Sequence, residues 1–129
     1  MAPLALVLIG ARVANAALVV EVDKPNRVAQ KVVLNLTLKN TFKVKVESAR
    51  AQVFLIDDSG KVVGQAVRWL IGGSKDRPAL APDKSTTYNF VIETSKPFKT
   101  TKVIFNRVIL EGGKLVDPNK AVEIVKQAP

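Results

Sequence analysis

The chain has 129 residues, with 20 lysines and arginines against 11 acids, a formal charge of +9, and neither cysteine nor histidine. Those two absences exclude thiolate nucleophiles, disulfides and Cys- or His-built metal sites, and remove the commonest general base near neutral pH. With 47% apolar and 24% charged residues, the composition is that of one folded domain rather than a disordered segment.

The opening stretch Leu4-Ala5-Leu6-Val7-Leu8-Ile9-Gly10 is an unbroken apolar run, followed by Arg12 and then Ala14-Asn15-Ala16. An apolar run before a small-x-small tripeptide is the order of an export signal, and the run is far short of the ~20 residues a membrane-spanning helix needs. Residues 1–16 are therefore read as a signal peptide and 17–129 as a single domain, although no basic residue precedes the apolar run. The alternative keeps the segment as an apolar arm that lies along a sheet edge. Leu4, Leu6, Leu8, Leu18, Val20 and Val22 would then form an interaction strand.

Leu18 to Val22 is a short apolar strand stopped by Asp23-Lys24-Pro25-Asn26. In KVVLNLTLKN, Val32, Leu34, Leu36 and Leu38 face one way while Asn35, Thr37 and Lys39 face the other, which predicts a half-buried strand. Val46 to Ile56, the turn Asp57-Asp58-Ser59-Gly60 and the return from Lys61 to Ile71 predict a β-hairpin, since Asp and Gly accept the left-handed backbone such turns use. A loop over Gly72–Pro78 and a tight turn at Ala81-Pro82-Asp83-Lys84 follow. Tyr88, Phe90 and Ile92 then alternate with Asn89, Val91 and Glu93. Lys102 to Leu110 supplies another strand, turned by Gly112-Gly113, and the last segment holds Leu115-Val116, a break at Asp117-Pro118 and Val122 to Val125. AVEIVKQ suits one or two turns of helix, but no stretch sustains a helical period.

About seven short strands joined by tight turns predict an all-β fold, an immunoglobulin-like antiparallel β-sandwich. The expected core includes Leu34, Leu36, Leu38, Trp69 and Phe90, with Trp69 filling the space between the sheets.

Chemistry-bearing patterns fail on inspection. Asp57-Asp58-Ser59-Gly60 lacks the alternating oxygen ligands and closing Glu of a calcium loop. Gly72-Gly73-Ser74-Lys75 lacks the spacing of a phosphate loop. Glu21, Glu47, Glu93, Glu111 and Glu123 are spread singly through the strands, so paired-carboxylate chemistry has no visible constellation. No enzyme, metal or cofactor is expected. Lys39, Lys43, Lys45 and Arg50 form a candidate basic patch, which suits anionic polysaccharide. Nucleic acid is disfavoured, because Phe42, Phe98 and Trp69 are too scattered to stack successive bases. Asn35-Leu36-Thr37 is a formal glycosylation sequon.

Residues 18 to 111 resemble the FxLYD family of small immunoglobulin-like modules in prokaryotic envelope proteins. The resemblance rests on Val33-Leu34-Asn35 with Thr37 and Asn40, on Leu55-Ile56-Asp57-Asp58-Ser59-Gly60-Lys61-Val62-Val63, and on Leu80-Ala81-Pro82-Asp83-Lys84 before Tyr88-Asn89-Phe90. Val53 stands for the motif Phe, Ile56 for the Tyr, and Asp83 for the Gly of the later turn. The resemblance implies an extracytoplasmic, non-enzymatic sandwich and carries no catalytic residues. Two functions are expected from different classes. The first is an envelope module for protein–protein interaction or adhesion, whose partners are other envelope proteins or itself. The second is a filament or surface-layer subunit that donates its apolar N-terminal strand to a neighbour.

Overall fold

The computed structural model describes residues 16–74 and 77–127. Among them, period-two burial produces nine strands: β1 (Leu18–Val22), β2 (Asn26–Val28), β3 (Lys31–Asn40), β4 (Val46–Ile56), β5 (Val62–Ile71), β6 (Ser85–Glu93), β7 (Thr100–Leu110), β8 (Lys114–Val116) and β9 (Val122–Gln127). One short helix, α1 (Pro118–Ala121), precedes β9. Two of the strands beyond the seven expected, β2 and β8, have three residues each, too few for a periodic signal. The AVEIVKQ segment is helical only at its first residue: its β-branched Val122, Ile124 and Val125 are stiff at χ1 and lie in β9. Asp117 caps α1 by accepting the Asn119 N–H at 3.0 Å, and Pro118 opens it without a lost donor.

The strands form two sheets packed face to face. In the first, β6 runs antiparallel along one side of β3, from Lys31↔Glu93 to Lys39↔Ser85. The other side of β3 is shared by β2 at Lys31–Val33 and β1 at Leu36–Asn40. β9 adds outside β1 in parallel, a departure from the all-antiparallel expectation. The second sheet is antiparallel throughout, in the order β5-β4-β7-β8.

Large and small side chains share one core. Val32, Leu34, Leu36 and Leu38 of β3, with Phe90 and Ile92 of β6, are buried in a cluster with Ala49, Ala51, Val53 and Leu55 of β4. A strand that buries every second residue removes roughly 1.5–3 kcal/mol of apolar side chain from water at each inward position.

Trp69 does not join that core. The β4–β5 register shifts between Ala49 and Arg50, so Ile71 pairs with Ala49 and Trp69 with Arg50. The extra residue lets Leu70 and Ile71 both point inward, and both are buried. Trp69 is thereby turned to the outer face, half-exposed.

Turn chemistry holds the ends. Asp57 Oδ1 accepts from Ser59 N at 3.0 Å, Ser59 Oγ at 2.8 Å and Lys61 N at 2.9 Å, closing the β4–β5 hairpin. Asp83 adopts φ +63°, in the left-handed region that glycine enters without strain.

Candidate functional site

Alternation along β4, β5 and β7 fixes which side chains leave the core. Across the outer face of the second sheet, register aligns Trp69, Arg50 and Arg107 in one row and Val67, Gln52 and Ile104 in the next. Two further rows follow, Gln65–Phe54–Lys102 and Val62–Ile56–Thr100. Leu115 of β8 extends the face beside Ile109. Several of these apolar groups meet solvent, with Val67 at 41%, Ile104 at 37% and Leu115 at 63% of full exposure.

The electrostatics of this sheet are one-sided. Its strands carry Arg50, Arg68, Lys102, Arg107 and Lys114 against a single acid, Glu47. Glu47 sits at the end of the sheet, where its Oε2 accepts the Gly112 N–H at 3.0 Å. Arg50 is held in place from two directions. Its Nε donates to Asn106 Oδ1 at 2.8 Å, and its guanidinium carbon lies 5.2 Å from the centroid of the Trp69 ring. Arg50 and Arg107 are direct cross-strand partners.

The predicted basic patch is not one surface. Lys39 lies on the outer face of the first sheet, opposite Val19 and Ser85. Lys43 and Lys45 belong to the β3–β4 connection, and Arg50 lies on the second sheet. The connection crosses from one sheet to the other, so outward residues of β3 and β4 point apart. Adjacency in sequence does not survive that crossing.

The candidate interaction strand also takes a different place. Leu4, Leu6 and Leu8 lie outside the described residues. Leu18, Val20 and Val22 are fully buried in this chain's own sheet, with β3 on one edge of β1 and β9 on the other. Both edges of β1 are thus used within the chain, and its apolar face is turned into the core. Leu34, Leu36, Leu38 and Phe90 are fully buried.

Other polar features are structural in their geometry. The Asp57 carboxyl is held below the usual aspartate value of 3.8, first by the Lys61 N–H and then by the Ser59 hydroxyl. Glu111 Oε1 accepts the Lys45 N–H at 3.2 Å, another turn contact. Among the described residues, no group of three or more acids is arranged to hold a metal ion, and no helix is long and apolar enough to cross a membrane. The sequon lies in the middle of β3, where Asn35 is half-buried and its Oδ1 is buried without a hydrogen-bond partner.

The outer face was missed by motif search but has a sequence signal. VFLI in β4 and KVIF in β7 are nearly continuous apolar runs, the pattern of strands covered on both faces rather than one. Phe54, Ile56 and Ile104 are the outward members of those runs.

No protein-family model matches the chain, and no curated protein matches it in sequence. Solved structures resemble it in fold. A Bordetella pertussis protein designated ApaA has 20% identity and a TM-score of 0.56, over 78% of this chain and 85% of that one. IrmA from Escherichia coli has 14% identity and a TM-score of 0.53, over 88% of this chain and 95% of that one. At these identities the likeness is one of architecture: the chain is an all-β sandwich.

Proposed function

We propose that the chain is a non-enzymatic, extracytoplasmic β-sandwich module that binds another protein through the outer face of its second sheet. One observation carries this reading. Phe54 and Ile56 of the VFLI run in β4 and Ile104 of the KVIF run in β7 belong to patterns typical of strands covered on both faces, yet among the described residues no further layer of strands lies over the face they share. Contiguous exposed apolar surface rimmed by charge is characteristic of interaction sites. Trp and Arg, which meet on this face, are the residue types that most often dominate interface energetics. The extracytoplasmic part of the proposal rests on the apolar run and small-x-small tripeptide that open the sequence.

The test is photo-cross-linking in the host cell. A photoreactive residue placed at Val67 or Ile104 is expected to form a discrete protein adduct in an extracytoplasmic fraction. One placed at Thr87, on the outer face of the first sheet, is expected to form none. Recovery solely from cytosol, or equal adducts from both faces, would remove the reading.

A further inference from the structure

We infer that the surface docking on this face is an acidic polypeptide, with one of its carboxylates seated between Arg50 and Arg107. The inference rests on the protein-docking reading above and names its partner's chemistry. Like charges placed directly opposite on adjoining strands repel, and Arg50 and Arg107 are such a pair. Among the described residues, neither guanidinium has a carboxylate partner. Arg50 is aimed by Asn106 and Trp69 through its Nε and its π face. That contact leaves its terminal N–H groups for an incoming oxygen pair, the fork geometry that matches a carboxylate. Covering the surrounding Phe54, Val67 and Ile104 would exclude water and strengthen the charge contact.

Charge also discriminates among occupants. A second copy placed face to face would set Arg50, Lys102 and Arg107 against their own equivalents, in a chain whose formal charge is already +9. Anionic polysaccharide suits the cations but not the apolar rows. The ring that would stack a sugar, Trp69, is already engaged by Arg50, and Gly73 packs so close that a Cβ there would come within 2.7 Å of a Trp69 ring atom. An acidic protein surface with apolar side chains satisfies both features.

Trp69 is the only tryptophan in the chain, so its emission reports on this face directly. A random copolymer of glutamate and tyrosine is titrated into the intact protein, with excitation at the red edge where tyrosine does not absorb. Polygalacturonate serves as the anionic polysaccharide arm. The copolymer is expected to change Trp69 emission saturably. The double variant Arg50→Gln/Arg107→Gln, its fold checked by circular dichroism, should weaken binding on the order of ten-fold or more. Lys39→Gln/Lys43→Gln, which removes the same charge elsewhere, should weaken it less than about two-fold. No emission change, equal loss in both double variants, or equally tight binding of polygalacturonate overturns the inference. If it fails while Val67 and Ile104 still cross-link to a protein, the docking reading stands without the acidic partner. If cross-linking fails as well, both fall.

Discussion

Asn40 donates its side-chain amide to the Leu80 carbonyl across 2.9 Å, at a position with no solvent exposure. The same amide donates to Val44 O, and Asn40 Oδ1 accepts the Phe42 N–H at 2.8 Å. One side chain thus satisfies three backbone groups where the chain crosses between sheets. Asn40→Ala should lower stability by about 1–3 kcal/mol, since the part-buried Phe42 N–H and Val44 carbonyl lose their partner while Leu80 O keeps the Val46 N–H at 3.0 Å. Asn40→Asp should be worse, because it turns two donors into an acceptor facing two carbonyls. Urea denaturation checks both, read from midpoints at an unchanged slope.

The outward placement of Trp69 and inward placement of Phe90 predict unequal costs for the same truncation. Phe90 is fully buried, so Phe90→Ala should cost about 3–5 kcal/mol. Trp69→Ala removes a half-exposed ring and one cation–π contact, and should cost about 1–2 kcal/mol. Equal losses in thermal or urea unfolding would contradict the bulge geometry at Leu70 and Ile71.

Backbone strain offers a stabilising change and a destabilising one. Asp83→Gly relieves a left-handed non-glycine residue at φ +63° and should raise stability by up to about 1 kcal/mol. Gly72→Ala does the reverse: φ is +68°, and the new Cβ would sit 2.4 Å from the Glu47 carbonyl oxygen. Because that neighbour is backbone, the loss should exceed the ~1–2 kcal/mol of the left-handed conformation alone. Differential scanning calorimetry of the two variants should show melting temperatures displaced in opposite directions.

Acid should erase the contribution of Asp57. Its folded-state value lies below the usual 3.8 because the Lys61 N–H and Ser59 hydroxyl favour the carboxylate. The associated stability is therefore present above the unfolded value and lost as pH falls through the folded one. Asp57→Asn keeps an acceptor oxygen but cannot ionise. The stability gap between parent and variant should stay constant from neutrality to about pH 5 and narrow below 3.8. A gap that does not change with pH would show that the carboxylate charge contributes nothing to the turn.

Local patterns were legible in the sequence and non-local ones were not. The alternation from Val32 to Leu38 is visible because one face of β3 is polar and the other apolar. The Asp57–Gly60 turn is visible because its chemistry is complete within five residues. Trp69 was misplaced because a bulge leaves no mark in VRWLI, where large apolar residues occupy successive positions. The candidate face escaped notice for a related reason. Arg50 and Arg107 lie in strands far apart in the chain and meet only through the β4–β7 register. The grouping of Lys39 with Arg50 erred in the opposite direction, by taking nearness in the chain for nearness in space.

The parallel contact between Leu18 and Val122 sets an order of events during synthesis. β1 is the first of the nine strands to leave the ribosome, and the strand that seals its flank, β9, is the last, about a hundred residues later. A nascent chain halted before Val122 would hold a hydrogen-bonding flank bare beside Leu18, Val20 and Val22, open to association with other unfinished chains. Completion of the first sheet therefore waits on synthesis of β9, whereas the β4–β5 hairpin can close as soon as its own two strands have been made.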